Sequence, residues 1–158
     1  MKHLTVLRYV DDYLVVVNRV AGTSLNDVLS GVIETFVSSS KSLKFTWELP
    51  SNNCLRFLDL ILTVQDTHVC WQYKPRANKQ LIPFDSAHSK LIKRGVAKTC
   101  ITAALNKSCA HKVQDAFNEQ IARLSTAGFS SAVVSAVCEA LLQKFKQKQR
   151  EGDMQKKI

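Results

Sequence analysis

The order of apolar and polar positions predicts strands in the first half of this chain and helices in the second. Leu4, Val6, Leu7 and Val10 form a strand-like pattern, and Tyr13 to Val17 follow as an apolar, largely β-branched run. Between them stand two adjacent carboxylates, Asp11 and Asp12, at a tip where a two-residue hairpin turn would ordinarily take Asn-Gly or Asp-Gly. Asn18 to Gly22 ends the second strand. Ser24 followed by Asp27 has the form of a capping box, and Leu25, Val28, Leu29, Val32, Ile33, Phe36 and Val37 then recur at helical spacing. A strand is expected over Leu43 to Leu49, stopped by the breaker cluster Pro50-Ser51-Asn52-Asn53. Leu55 to Val64 reads as one further strand, which Asp66-Thr67 turns back into Val69 to Tyr73. Asp59 interrupts that run, and its simplest place is the solvent face of an alternating strand.

The periodicity changes after an irregular segment from Tyr73 to Lys90. Ser89 to Lys107, Asp115 to Thr126 and Ala132 to Gln149 each carry an apolar stripe at helical spacing, with Gly128-Phe129-Ser130 between the last two. The period is lost after Phe145, so the tail from Lys144 to Lys157 is expected to fray. Hairpins and a helix followed by three helices give an α+β fold class, with an antiparallel sheet and one helix packed on it. The last three helices have the outline of a helix-turn-helix.

Charge adds a division. The chain of 158 residues has a formal net charge of +9. Residues 1–86 hold 9 Lys/Arg against 8 Asp/Glu, whereas residues 87–158 hold 13 against 5. The excess therefore lies in the second half, which invites a polyanionic partner there and sets the expected domains at 1–84 and 85–158. Five cysteines in no regular spacing argue for reduced thiols in an intracellular protein, nuclear or cytoplasmic, and against a disulfide framework or a zinc site. No apolar run is long enough to span a bilayer, and the N-terminus lacks the apolar region of a secretory signal.

The candidate chemistry begins at the hairpin. Paired hard carboxylates exposed on a rigid turn suit a divalent magnesium ion. Tyr9-Val10-Asp11-Asp12, followed by Tyr13-Leu14-Val15-Val16, resembles the metal-binding hairpin of reverse transcriptases. Downstream, Phe57-Leu58-Asp59, Tyr73-Lys74-Pro75, Phe84-Asp85-Ser86-Ala87-His88 and Lys93-Arg94-Gly95 follow in the order seen in Penelope-like retroelement reverse transcriptases. The resemblance covers roughly residues 4 to 130. Two departures are Ser89, where that family usually has proline, and Arg76, where it usually has threonine.

The resemblance implies a partial polymerase palm over 1–84 and a basic thumb-like or helix-turn-helix-like region over 85–158. It implies Asp11 and Asp12 as catalytic ligands of Mg2+, with Mn2+ possible, no small-molecule cofactor, and an RNA/DNA primer-template as partner. Lys74, Arg76, His88, Lys90, Lys93, Arg94 and Lys98 become candidates for contact with nucleic acid, together with the basic cluster from Lys144 to Arg150; His88 could equally be a packed or capping histidine. In that family a further aspartate lies upstream of the hairpin, and none of the ten residues before Asp11 is acidic. The expectation is a piece of an RNA-directed DNA polymerase that does not polymerise by itself. A non-catalytic nucleic-acid-binding module, or a structural remnant that self-associates through an uncovered palm edge, are the alternatives.

Overall fold

The computed structural model describes residues 4–18, 22, 24–39, 43–65, 68–76 and 80–155, without the side chains of Leu25 and of residues 145–155. The fold is mixed α+β, with two antiparallel sheets, of two and three strands, and four helices. The chain divides into two compact units, Met1–Leu49 and Pro50–Ile158. That division lies upstream of the 84/85 boundary read from charge, because the three-stranded sheet packs on the C-terminal helices and so belongs to their unit. Charge balance reports where cations were placed; packing decides what folds together.

In the first unit, β1 (Leu4–Tyr9) and β2 (Asp12–Val17) pair antiparallel from Leu4 opposite Val17 to Tyr9 opposite Asp12. Helix α1 (Leu25–Ser39) presents Val28, Leu29, Val32, Ile33 and Phe36 half-buried, as the stripe predicts, whereas Val37 at the end of the stripe is exposed. Tyr13 of β2, Phe36 of α1 and Phe45 meet edge to face, with ring centroids 5.2 to 6.3 Å apart. Such pairs add about 0.5–1.5 kcal/mol each beyond the area they bury. The strand expected over Leu43 to Leu49 does not form. Those residues have no ladder partner among the described residues, and Leu43, Trp47 and Leu49 stay exposed.

The second unit opens with a tight turn. Ser51 and Cys54 exchange both backbone hydrogen bonds at 2.9 Å, and Asn52 and Asn53 between them have φ of 49° and 61°. Two positive φ values make a type I′ turn, and asparagine tolerates that region better than most residues. The sequence's breaker cluster is thus itself a hairpin turn. The expected strand over Leu55 to Val64 is two strands, β3 (Cys54–Phe57) and β4 (Leu60–Val64), joined at Leu58-Asp59. Asp59 therefore sits in a turn and not on an alternating strand; its carbonyl accepts the Lys74 N–H at 2.8 Å. Strand β5 (Val69–Tyr73) completes the sheet in the order β3-β4-β5. The expected turn at Asp66-Thr67 falls outside the described residues.

Three helices follow: α2 (Lys90–Asn106), α3 (Val113–Thr126) and α4 (Ser131–Gln155). The Ser89 hydroxyl accepts the Ile92 N–H at 3.4 Å and caps α2. Helix α3 ends in a Schellman motif. The Gly128 N–H reaches the Ser125 carbonyl at 2.9 Å, the Phe129 N–H reaches that of Leu124 at 3.0 Å, and Gly128 supplies the required φ of 85°. Leu124 and Phe129, brought together by that motif, join Ala97, Cys100, Ile101 and Val137 in the core. Helix α4 continues to Gln155, beyond the point where its apolar period stops. Among the described residues no helix is long and apolar enough to cross a membrane.

Candidate functional site

The hairpin carries the paired carboxylates differently from the sequence expectation. Tyr9 opposite Asp12 is the last cross-strand pair, so the two central turn residues are Val10 and Asp11, and Asp12 begins β2. Val10 has φ of 53° and Asp11 does not have a positive φ. Positive φ at the first central position alone is the type II′ pattern, in which glycine is normally required. A β-branched residue there is strained by about 1–2 kcal/mol. Arg8 braces the turn: its Nε donates to the Val10 carbonyl at 3.0 Å, and its guanidinium lies 5.5 Å from the Tyr13 ring centre.

Side chains alternate across the pleat, so Asp12 shares a face with Tyr9, Leu7 and Leu14, opposite the Tyr13 face that meets α1. Both Asp11 and Asp12 are exposed, as are Tyr9 and Val10. Two unencumbered carboxylates are a hard-oxygen donor set, which suits magnesium completed by water and phosphate oxygens. No third acidic, histidine or cysteine group joins them among the described residues.

The predicted cationic residues belong to the second unit and divide by what they touch. The ammonium of Lys74 pairs with Glu119 at 3.1 Å, and Lys93 is half-buried with its Nζ 5.2 Å from the Phe84 ring centre. His88 is exposed and its Nδ1 is 3.2 Å from the Ser86 hydroxyl. Arg76 is exposed. Lys90, Arg94 and Lys98 recur every fourth residue on α2 and are all exposed, forming one row. Burial on α2 is one-sided: Lys93 and Val96 are half-buried toward Phe84 and the core and full burial begins at Ala97, while Leu91 is 81% exposed. Of the basic cluster from Lys144 to Arg150, only the exposed Lys144 side chain falls within the described residues.

One constellation was invisible to cysteine spacing. His68 and Cys70, on and beside β5, meet His111 from the connection between α2 and α3. The His68 Nε2 lies 3.1 Å from the Cys70 sulfur, and the His111 Nδ1 lies 3.6 Å from it on another side. The two rings are 4.9 Å apart. Cys70 is buried and both histidines are exposed. Burial pushes the Cys70 thiol up, and the neighbouring Cys109 thiol adds to the shift. For Cys109, burial acts upward but is outweighed by hydrogen bonds from Trp71, Cys70 and the Lys112 and His111 backbone, so its thiol is lowered. The signal in the sequence is the mirrored pair His68-Val69-Cys70 and Cys109-Ala110-His111, which pairs each cysteine with a histidine two residues away. All five cysteines are free.

Comparison of the chain with protein-family models, curated proteins and solved structures gives no match.

Proposed function

We propose that the chain is the later part of a reverse-transcriptase palm, followed by a thumb-like helical region, from a Penelope-like retroelement. The observation that carries this reading is the hairpin. A tight antiparallel turn displays Asp11 and Asp12 in the exposed positions that a metal-bound triphosphate must reach, within the residue pattern Tyr9-Val10-Asp11-Asp12. Asp11 and Asp12 would hold Mg2+, which when bound stabilises the charge that develops on a transferring phosphoryl group. Arg8 fixes the turn beneath them, and Tyr9 and Val10 would shape the hairpin under a primer end. The α2 row of Lys90, Arg94 and Lys98 would bind the phosphate backbone, with Lys93, Arg76 and His88 as adjacent contacts.

A two-metal site needs carboxylates from more than one strand, and among the described residues this hairpin offers two and no third acidic group joins them. The chain alone is therefore expected to bind metal weakly and not to polymerise. Titration with paramagnetic Mn2+ should broaden the amide resonances of Tyr9 to Tyr13 first, and Asp11→Asn should abolish that selectivity. Uniform broadening in both proteins would remove the hairpin as a metal site. Primer extension by the chain alone, lost in Asp11→Asn, would overturn the claim of incompleteness while sustaining the family reading.

The α3–α4 pair favours a second reading. A four-residue connection containing Gly128 joins these helices, the outline of a helix-turn-helix. That module would read base edges through the first turns of α4 and show sequence preference; backbone binding without preference counts against it.

A further inference from the structure

We propose that His68, Cys70 and His111 form a zinc site that fastens the end strand β5 to the connection between α2 and α3. The three ligand atoms all lie within 4.8 Å of one another. With zinc about 2.0–2.1 Å from imidazole nitrogen and about 2.3 Å from sulfur, tetrahedral angles put neighbouring ligand atoms about 3.3–3.8 Å apart. The observed nitrogen-to-sulfur separations, 3.1 and 3.6 Å, need adjustments of only a few tenths of an ångström, and the two nitrogens, within 4.8 Å of each other, have to close toward the same range. Rotation of exposed imidazole rings supplies that easily.

The backbone has already brought the two segments together. The Cys109 N–H donates to the Trp71 carbonyl at 2.9 Å, and the Tyr73 N–H donates to the Ser108 hydroxyl at 3.0 Å. His68 and Cys70 are two residues apart at a strand end, so their side chains share a face. His111 approaches from 41 residues further along the chain than Cys70. The site is consequently preorganised by contacts that do not involve the metal, and it does not require the metal to fold.

Donor chemistry selects the ion. Two imidazoles and one thiolate suit zinc, and they are a poor match for magnesium, which prefers oxygen. Ligation would convert the Cys70 thiol to a thiolate and release its proton to the buffer. The histidines face solvent, so the ion has an entry path and the fourth position is open to water. This site is separate in sequence and chemistry from the Asp11-Asp12 pair.

The test uses the full chain with any histidine tag removed. Zinc titrated against a chromogenic chelator should bind at one equivalent, and Co2+ in its place should give the visible absorption of tetrahedral cobalt with a thiolate charge-transfer band in the near ultraviolet. His68→Ala and His111→Ala alter exposed side chains and should fold, as far-ultraviolet circular dichroism would verify; each should weaken zinc binding at least about tenfold. Cys70→Ser should remove the charge-transfer band. Cys54→Ser, which changes an exposed thiol outside the cluster, should leave binding unaltered. The proposal is overturned if the wild type binds no stoichiometric zinc, if both histidine variants bind like it, or if cobalt binds without the thiolate band.

Discussion

Neutralising the α2 row is the most direct probe of nucleic-acid binding. Among the described residues, Lys90, Arg94 and Lys98 have no carboxylate within ion-pair distance, whereas Lys74 is held by Glu119 at 3.1 Å. If each cation of the row meets one phosphate of duplex DNA, each contributes about 0.9 to the dependence of log affinity on log salt. The triple variant Lys90→Gln, Arg94→Gln, Lys98→Gln should then lower that slope by about 2.7. Over a fourfold rise in salt, the wild type should lose about 40-fold more affinity than the variant does. Glutamine has nearly the helix propensity of lysine and arginine, so α2 should persist. Fluorescence anisotropy with a labelled duplex, read at several salt concentrations, measures both slopes. Lys74→Gln serves as the comparison: an ammonium already neutralised by Glu119 should change the slope by less than one row position. Parallel salt dependences for the wild type and the triple variant would refute the assignment of α2 as the phosphate-binding face.

Two further outcomes follow from local physics. Val10→Gly should leave thermal stability unchanged or raise it by up to about 1.5 kcal/mol. Relief of positive-φ strain, about 1–2 kcal/mol, exceeds the extra entropy glycine loses, about 0.5–1 kcal/mol, and Val10 is 67% exposed and gives up little packing. A clear loss of stability on melting would show that the turn is not strained. Cys100 should resist alkylation in the folded protein while the exposed Cys54 reacts. Burial raises the Cys100 thiol above its ordinary 9.0, against the opposing effects of Arg123 and a backbone hydrogen bond. A raised folded-state value means stability is fully present below pH 9.0 and is lost as pH climbs through the folded value, so Cys100 labelling should grow steeply there. Equal labelling of the two at pH 8, followed by mass spectrometry, would contradict its burial.

The helices were legible because their signals are local. Ser89 at the start of its stretch, the apolar stripe from Leu91 to Leu105 and Gly128 as a separator each act within a few residues, and α2 and α3 begin and end within two residues of the expected places, although Leu91 and Ile92 of that stripe stay exposed. The strands were less legible where pairing decides. Leu43 to Leu49 has strand composition, yet composition does not supply a partner strand. Leu58-Asp59 contains neither glycine nor asparagine, and the one mark of the turn that splits β3 from β4, Asp59 interrupting an apolar run, reads equally as a solvent-facing strand position. For the sites, Asp11 and Asp12 stood out because two adjacent carboxylates are anomalous in a strand pattern. His68, Cys70 and His111 are individually ordinary; only the pairing of β5 with the α2–α3 connection gives them a common chemistry.

The two strained turns bear on what the hairpin tip means. Val10-Asp11 and Leu58-Asp59 have the same construction, an apolar residue at φ of 53° or 54° followed by aspartate. Strain at an apolar turn residue is therefore a device this chain uses twice, and by itself it does not distinguish a functional tip. The surroundings do. Leu58 is half-buried and the backbone of Asp59 is engaged by Lys74, so that turn is fixed within the second unit's packing. Val10 and Asp11 are exposed, and a second carboxylate follows at once. Leu58→Gly should consequently destabilise the protein where Val10→Gly does not, because it removes half-buried side-chain contacts as well as strain. If both glycine variants proved equally neutral in melting, the Leu58 turn would carry no packing role, and the exposed second aspartate alone would set the two tips apart.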